Sequence, residues 1–192
     1  MALKAVVILG SVREGGQGTK AAKFIESALK ARKWNVTLVN PLEYKIPLLE
    51  RRYKDYEKGK APKVLEKLAK ILRDADAFVI VTAEYNHLIP PALINLLDHF
   101  FEEYFFRPSA IVSYSMGGFG GVRAASHLRD MLAELGMPAI PSGFPISKIQ
   151  DVFDEQGNPK DEKMNKRVKK FLDELEWYSK ALKEARKKGV PY

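Results

Sequence analysis

The sequence predicts an α/β fold, a doubly wound sheet of five parallel strands with helices on both faces. Three observations predict it. Apolar runs and helix-period segments alternate along the chain five times. The strongest runs, "LKAVVIL" (3–9) and "DAFVIVT" (76–82), lack polar alternation, as strands covered on both faces require. Three loops that leave strands are rich in glycine and polar groups, and right-handed crossovers gather them on one edge of the sheet.

The elements follow in order. Residues 3–9 form the first strand, and "GSVREGGQG" ends it. From Thr19 to Lys33, Ala22, Phe24, Ile25, Ala28 and Leu29 fall largely on one side, so a helix is expected, with Thr19 as its N-cap. "NVTLVN" (35–40) is a second short strand. The stretch 41–62, with its Pro, Tyr and charged residues, is expected as a long surface loop. A helix over 61–75 turns Val64, Leu65, Leu68, Ile71 and Leu72 inward, and the strand at 76–82 follows.

"PALINLLDHFFEEYF" (91–105) is expected as one helix with Pro91 at a permitted early position. Phe100, Phe101, Tyr104, Phe105 and Phe106 crowd its end, either as an exposed association patch or as a thick core under the sheet. "SAIVSYS" (109–115) is the fourth strand, and "MGGFGG" leads to a helix that Gly136 stops. "MPAIPSGFPI" carries three prolines and belongs at an edge. The last helix, about 161–188, carries one apolar stripe from Met164 to Leu182. Residues 1–192 are expected to make a single domain.

Composition narrows the function. The chain is 46% hydrophobic and 29% charged, and no apolar run is long enough to span a bilayer. Its start lacks the basic and apolar pattern of a signal segment. It has no cysteine, hence no disulfide or thiolate chemistry, which fits a cytoplasmic protein. Three scattered histidines (His87, His99, His127) argue against a Cys/His metal site. The net charge is +8, and 161–188 alone contributes ten Lys/Arg against six Asp/Glu. That surplus is either the solvated face of a helix or a phosphate-binding surface. No basic stripe studded with aromatics is present, so nucleic acid is not the expected partner.

The three loops define a candidate site. In Gly10–Thr19, glycines free the backbone N–H groups, Ser11 and Thr19 add hydroxyls, Arg13 adds a forked cation, and a helix start follows. These are the parts of a phosphate site, although neither a Walker loop nor a GxGxxG fingerprint is matched. In "TAEYNHLIPP" (82–91), Tyr85 offers a flat face and Asn86 both donors and acceptors. In "SMGGFGGVR" (115–123), glycine-rich backbone permits close approach of a planar ligand. A phosphate cradle, an aromatic shelf and a bare-backbone wall suit a phosphorylated flat heterocycle, with flavin mononucleotide (FMN) the first candidate.

The motifs "GSVREGGQG", "EYNHLIPPALINLLD" and "SYSMGGFGGVRAASHLRDMLAELG" occur in the order and at the spacing of the NADPH-dependent FMN reductase family. The sequence resembles that flavodoxin-like group of quinone, azo and chromate reductases from Met1 to about Ile149. Ala83 stands where the family usually has Pro, and His87-Leu88 where it usually has Gly-Ser. The resemblance implies a sheet of order 2-1-3-4-5. It implies that Ser11, Arg13, Gln17, Gly18 and Thr19 surround the FMN phosphate. Glu84, Tyr85, Asn86 and His87 would line the ring and ribityl side, and Ser115, Met116, Gly117, Gly118 and Phe119 would hold the pyrimidine end. It also implies a homodimer or homotetramer.

The expected activity is hydride transfer from NADPH or NADH to flavin N5, then to a small-molecule acceptor by ping-pong. The flavin carries the chemistry, so no side chain is nominated as catalytic. His87 is open to two readings, a solvent-facing residue or a donor to the acceptor. Two other classes compete: an electron carrier like flavodoxin, without a pyridine nucleotide site, and a non-redox phosphate or nucleotide sensor of the same fold.

Overall fold

The computed structural model describes residues 2–192; Met1, which opens both the expected domain and the stretch of resemblance, lies outside the described residues. Five parallel strands form one sheet of order β2-β1-β3-β4-β5: β1 (Lys4–Leu9), β2 (Asn35–Val39), β3 (Ala77–Ala83), β4 (Ser109–Tyr114) and β5 (Ala139–Ile146). The helices are α1 (Gly18–Ala31), α2 (Pro41–Tyr44), α3 (Lys63–Arg73), α4 (Pro91–Asp98), α5 (Val122–Glu134), α6 (Ile149–Val152) and α7 (Glu162–Lys187). Among the described residues no helix is long and apolar enough to cross a membrane.

The missing polar alternation in β1 and β3 has a direct cause. Val7 and Val79 pack with Ile25 and Leu29 of α1 and Phe171 and Leu172 of α7 on one face. Val6, Ile8, Phe78 and Ile80 pack with Leu65 and Leu68 of α3, Leu93 and Leu97 of α4, and Leu128 and Leu132 of α5 on the other. Each successive residue therefore enters one of two cores. β5 is an edge, and its register against β4 shifts between Ser109 and Ile111, which accommodates its prolines. All five strands point the same way, so their C-terminal ends share one edge with the loops leaving β1, β3 and β4.

Three local expectations are corrected. Thr19 is not the N-cap of α1: the helix starts at Gly18, and Gln17 caps it with no side-chain hydrogen bond. The helix expected over 91–105 ends at Asp98, and a 3₁₀ turn covers Glu102–Tyr104. The His99 carbonyl takes the Tyr53 N–H (2.7 Å). The buried Glu103 carboxylate takes the Phe101 N–H (3.1 Å) and pairs with Arg73 (2.6 Å). These bonds replace the intrahelical bonds that a continued helix would make. The stretch 41–62 is not plain loop either. It holds α2 and a 3₁₀ turn, Tyr53–Asp55, and it is pinned to α4 by Leu49 N–H to Asn95 Oδ1 (3.0 Å) and Asn95 Nδ2 to the Pro47 carbonyl (2.8 Å).

The aromatic cluster divides. Phe100 and Tyr104 are buried beneath the sheet, with Tyr104 edge-on to Phe78 (5.5 Å between centroids). Those two belong to the thick core and not to an exposed patch. Phe101, Phe105 and Phe106 stay half-buried, and Tyr192 packs on Phe105 and Phe106 at 5.3 and 5.0 Å.

The long helix α7 buries its stripe from Met164 to Leu175 and turns most of its lysines outward. Arg32 of α1 pairs with Asp173 (2.7 Å), and the Lys183 ammonium and Arg186 guanidinium close on the buried Asp76 carboxylate (2.7 and 3.2 Å).

Candidate functional site

A cavity of about 490 Å³ opens at the C-terminal edge of the sheet, between the loops that leave β1, β3 and β4. Its size is that of a small-molecule site. Of the residues expected to bind, Ser11, Arg13, Gln17, Glu84, Tyr85, Ser115, Met116 and Gly117 line it.

Gly18, Thr19, Asn86, His87, Gly118 and Phe119 do not line it, each for a local reason. Gly18 and Thr19 already belong to α1, and Gly18 sits so close under Tyr114 Oη that a Cβ there would collide with the phenol. Asn86 and His87 form the tip of a tight turn, with left-handed φ of 51° and 68°, and both are exposed. Two bonds between Tyr85 and Leu88 close that turn (3.0 and 2.9 Å). Asn visits this conformation readily, whereas His87 takes it at a cost of about 1–2 kcal/mol. Gly118 is exposed, and its carbonyl is taken from behind by Ser147. Phe119 is 65% exposed, and the Arg123 guanidinium lies over its ring at 4.5 Å.

The first wall combines the loop of residues 10–17 with the start of α1. The chain doubles back through a Gly16 N–H to Arg13 carbonyl bond (3.0 Å), and Gly15 adopts φ +66°. The N–H groups of Gly15, Gln17 and Thr19 have no partner among the described residues, and the buried Gln17 Oε1 has none either. Unpaired donors at a helix start, with Arg13 beside them, suit an anionic, acceptor-only group.

Tyr114, at the end of β4, lines the same cavity and was missed in the sequence, where an aromatic in a strand reads as core. The Ser11 hydroxyl is 2.7 Å from Tyr85 Oη, and Gly18 packs directly against Tyr114 Oη. Ser11 thus joins the first wall to the second.

Burial pushes the Tyr114 phenol up from its usual 10 to about 12, partly offset by the Ser11 and Gly18 hydrogen bonds. The sign follows from linkage. The folded state holds this proton more tightly than the unfolded state. The stabilisation is complete below pH 10 and is lost as pH rises toward 12, an effect on the order of 2 kcal/mol. Denaturant midpoints measured from pH 9 to 12 should fall in that window for the native chain and fall less for Tyr114→Phe.

Glu84 lines the cavity, but its carboxylate is already committed. Oε2 accepts the N–H groups of Arg123 (3.0 Å) and Ala124 (3.2 Å), and Oε1 pairs with the Arg123 guanidinium (3.5 Å). The N-cap of α5 is Gly121, which has no side chain to cap with, so the acid from the neighbouring loop supplies the cap.

The third wall follows from where its carbonyls go. The Ser115 carbonyl accepts the Ile149 N–H (3.2 Å), and the Gly117 carbonyl accepts the Lys148 N–H (3.1 Å). The Met116 carbonyl accepts Gln150 Nε2 (3.4 Å), and the Gly118 carbonyl accepts the Ser147 hydroxyl (2.8 Å). In a trans peptide the next N–H points opposite to the carbonyl, and no described peptide is cis. The N–H groups of Met116, Gly117, Gly118 and Phe119 therefore face away from the 147–150 strip, and none has a partner among the described residues. Met116, Gly117 and Ile149 line the cavity at this wall.

The model of the NADPH-dependent FMN reductase family matches residues 3–151. The chain is 26% identical over 186 residues to an NADPH azoreductase of Bacillus sp. (strain OY1-2), covering 96% of this chain and 97% of that protein. It is 34% identical over 159 residues to a quinone reductase of Escherichia coli (strain K12), covering 80% and 82%. Among solved structures it is similar to FerB, a flavoenzyme NAD(P)H:(acceptor) oxidoreductase of Paracoccus denitrificans. That match has a TM-score of 0.73 and 21% identity, over 95% of this chain and 98% of FerB, and speaks for the fold alone.

Proposed function

The chain belongs to the NADPH-dependent FMN reductase family, and from that premise we propose that it transfers hydride from NAD(P)H through FMN to a small-molecule acceptor by ping-pong. It is an enzyme of the NAD(P)H-dependent FMN and quinone reductase type, with FMN as its cofactor. The acceptor class we favour is a quinone or azo compound, on the names of the relatives.

The observation that carries the reading is the pairing of two walls in one cavity. Unpaired donors and Arg13 stand at the start of α1, and of the unpaired amides at 116–119 those of Met116 and Gly117 belong to residues that line the cavity. FMN fits this donor set. Its phosphate would take the N–H groups of the first wall with Ser11 and Arg13, and its pyrimidine edge would take the amides beside Gly117. Tyr85 would lie alongside, its phenol held by Ser11. FMN supplies the hydride chemistry, accepting from the nicotinamide and giving to the acceptor. The protein contributes positioning and donors for the negative charge that reduction brings. No side chain on these walls is required to move a proton.

We further propose that residues 1–192 act as one domain, in the cytoplasm, as a homodimer or homotetramer. Exposed Leu88, Met116, Phe119 and Val122, on or beside the loops that leave β3 and β4, support an interface at that edge of the sheet.

The experiment is a visible spectrum of the purified protein, mixed with FMN and desalted. A flavin band that travels with the protein, bleaches with NADPH or NADH and returns with a quinone is expected. A colourless protein would sink the FMN reading. A band that neither nucleotide bleaches would make the chain an electron carrier.

A further inference from the structure

We infer that Ser147 and Gln150 are positioning residues that orient the amides of 116–119 and so set the reduction potential of the bound flavin. The inference rests on the FMN reading above.

Outside the strip, one bond reaches those peptides, from the Ser115 hydroxyl to the Gly117 carbonyl (3.1 Å), and the Met116 and Gly118 carbonyls have no partner beyond Gln150 and Ser147 among the described residues. Gly117 and Gly118 have no side chains, and no atom lies within 4 Å of where a Cβ would stand at either. Glycine peptides rotate at little steric cost, so an unanchored peptide here could turn over and present its carbonyl to the cavity. A donor would then become an acceptor. Four bonds from the strip after β5 prevent this. Two come from the backbone N–H groups of Lys148 and Ile149, and two from the side chains of Ser147 and Gln150.

The strip carries local strain where it turns into α6, with Lys148 as the N-cap. Lys148 has φ +47°, a left-handed conformation that costs a non-glycine residue about 1–2 kcal/mol. Gln150 Nε2 reaches the Met116 carbonyl and Asp151 Oδ2 at 3.4 Å each, while its own Oε1 is buried without a partner among the described residues. A buried acceptor left unpaired is costly.

The consequence is specific to charge. Fixed N–H donors favour a ligand edge that gains negative charge over the same edge when neutral. Reduction of a flavin adds that charge at the pyrimidine end. Loss of an anchor should therefore weaken the hold on reduced FMN more than on oxidised FMN. A loop that is merely loosened would weaken both alike and leave the potential where it was.

The test compares the native chain with Ser147→Ala, Ser147→Thr and the double variant Ser147→Ala/Gln150→Leu. The readouts are the midpoint potential of bound FMN and the dissociation constants of its oxidised and reduced forms. Ser147→Ala should lower affinity for reduced FMN about five- to tenfold relative to oxidised. For a two-electron couple that is a potential about 20–30 mV more negative. The double variant should go further, and Ser147→Thr, which keeps the hydroxyl, should restore the native value. Equal potentials in the native chain and Ser147→Ala, with FMN bound by both, would overturn this inference and leave the cofactor reading intact. A native chain that takes up no FMN would overturn both.

Discussion

Alanine at position 121 should destabilise the fold by about 3–4 kcal/mol and lower FMN affinity at least tenfold. Gly121 has φ +74°, where an L side chain costs about 1–2 kcal/mol. Space is the larger problem. A Cβ at 121 would stand 2.7, 2.9 and 3.1 Å from the carbonyl oxygen, nitrogen and carbonyl carbon of Tyr114. Those are backbone atoms in the last residue of β4, a strand paired on both sides, so they cannot rotate away as a side chain would. Relief requires moving the loop, at the 1–3 kcal/mol typical of overpacking. The loop that moves carries the four amides. Urea denaturation reads the stability and flavin fluorescence the affinity. Gly117→Ala is the contrast: φ there is not left-handed and nothing lies within 4 Å of its Cβ, so its stability should change by less than about 0.5 kcal/mol. If Gly121→Ala were as mild as Gly117→Ala, the fitted backbone at the base of this wall would not be what holds the loop.

This contrast marks what the sequence could reveal. Both positions belong to one glycine-rich run, and composition alone gives them the same reading, freedom for backbone to approach a ligand. The structure separates them. Gly121 serves the fold, and Gly117 lines the cavity. The strands were legible because being covered on both faces removes polar alternation, a signal in residue type itself. The helix expected over 91–105 was overextended because its apolar spacing continues through Phe100 and Tyr104, which are indeed buried. What ends the helix is the pairing of Glu103 with Arg73 and of the His99 carbonyl with Tyr53, partners distant along the chain. Local spacing carries no trace of such partners.

The site shows the same division. Glycines, Ser11, Arg13 and Tyr85 mark their loops by residue type. The strip 147–150 acts half through main-chain N–H groups, which no residue type advertises. Glu84 lines the cavity, but its carboxylate caps α5 because Gly121 cannot. A helix that starts after two glycines must find its cap elsewhere, and the sequence gives that hint without saying from where.

At the opposite edge of the sheet, Asp76→Ala should cost about 3–5 kcal/mol while leaving FMN affinity within about twofold. The Asp76 carboxylate is buried. It accepts the Lys4 N–H (3.0 Å), the Lys183 ammonium (2.7 Å) and the Arg186 guanidinium (3.2 Å). Removing it leaves two largely covered cations of α7 facing each other without a counter-charge, and a strand N–H without an acceptor. Burial already depresses the Arg186 pKa, and Asp76 is what opposes that. Asp76→Asn keeps an acceptor and loses the charge, so it should fall between alanine and the native chain. The cavity is at the C-terminal ends of the strands and Asp76 at their N-terminal ends, with the sheet between them. The two alanine variants should therefore match in stability loss and part in affinity. If Asp76→Ala weakened FMN binding as much as Gly121→Ala, affinity would be following global stability, and the local assignment of the third wall would fail.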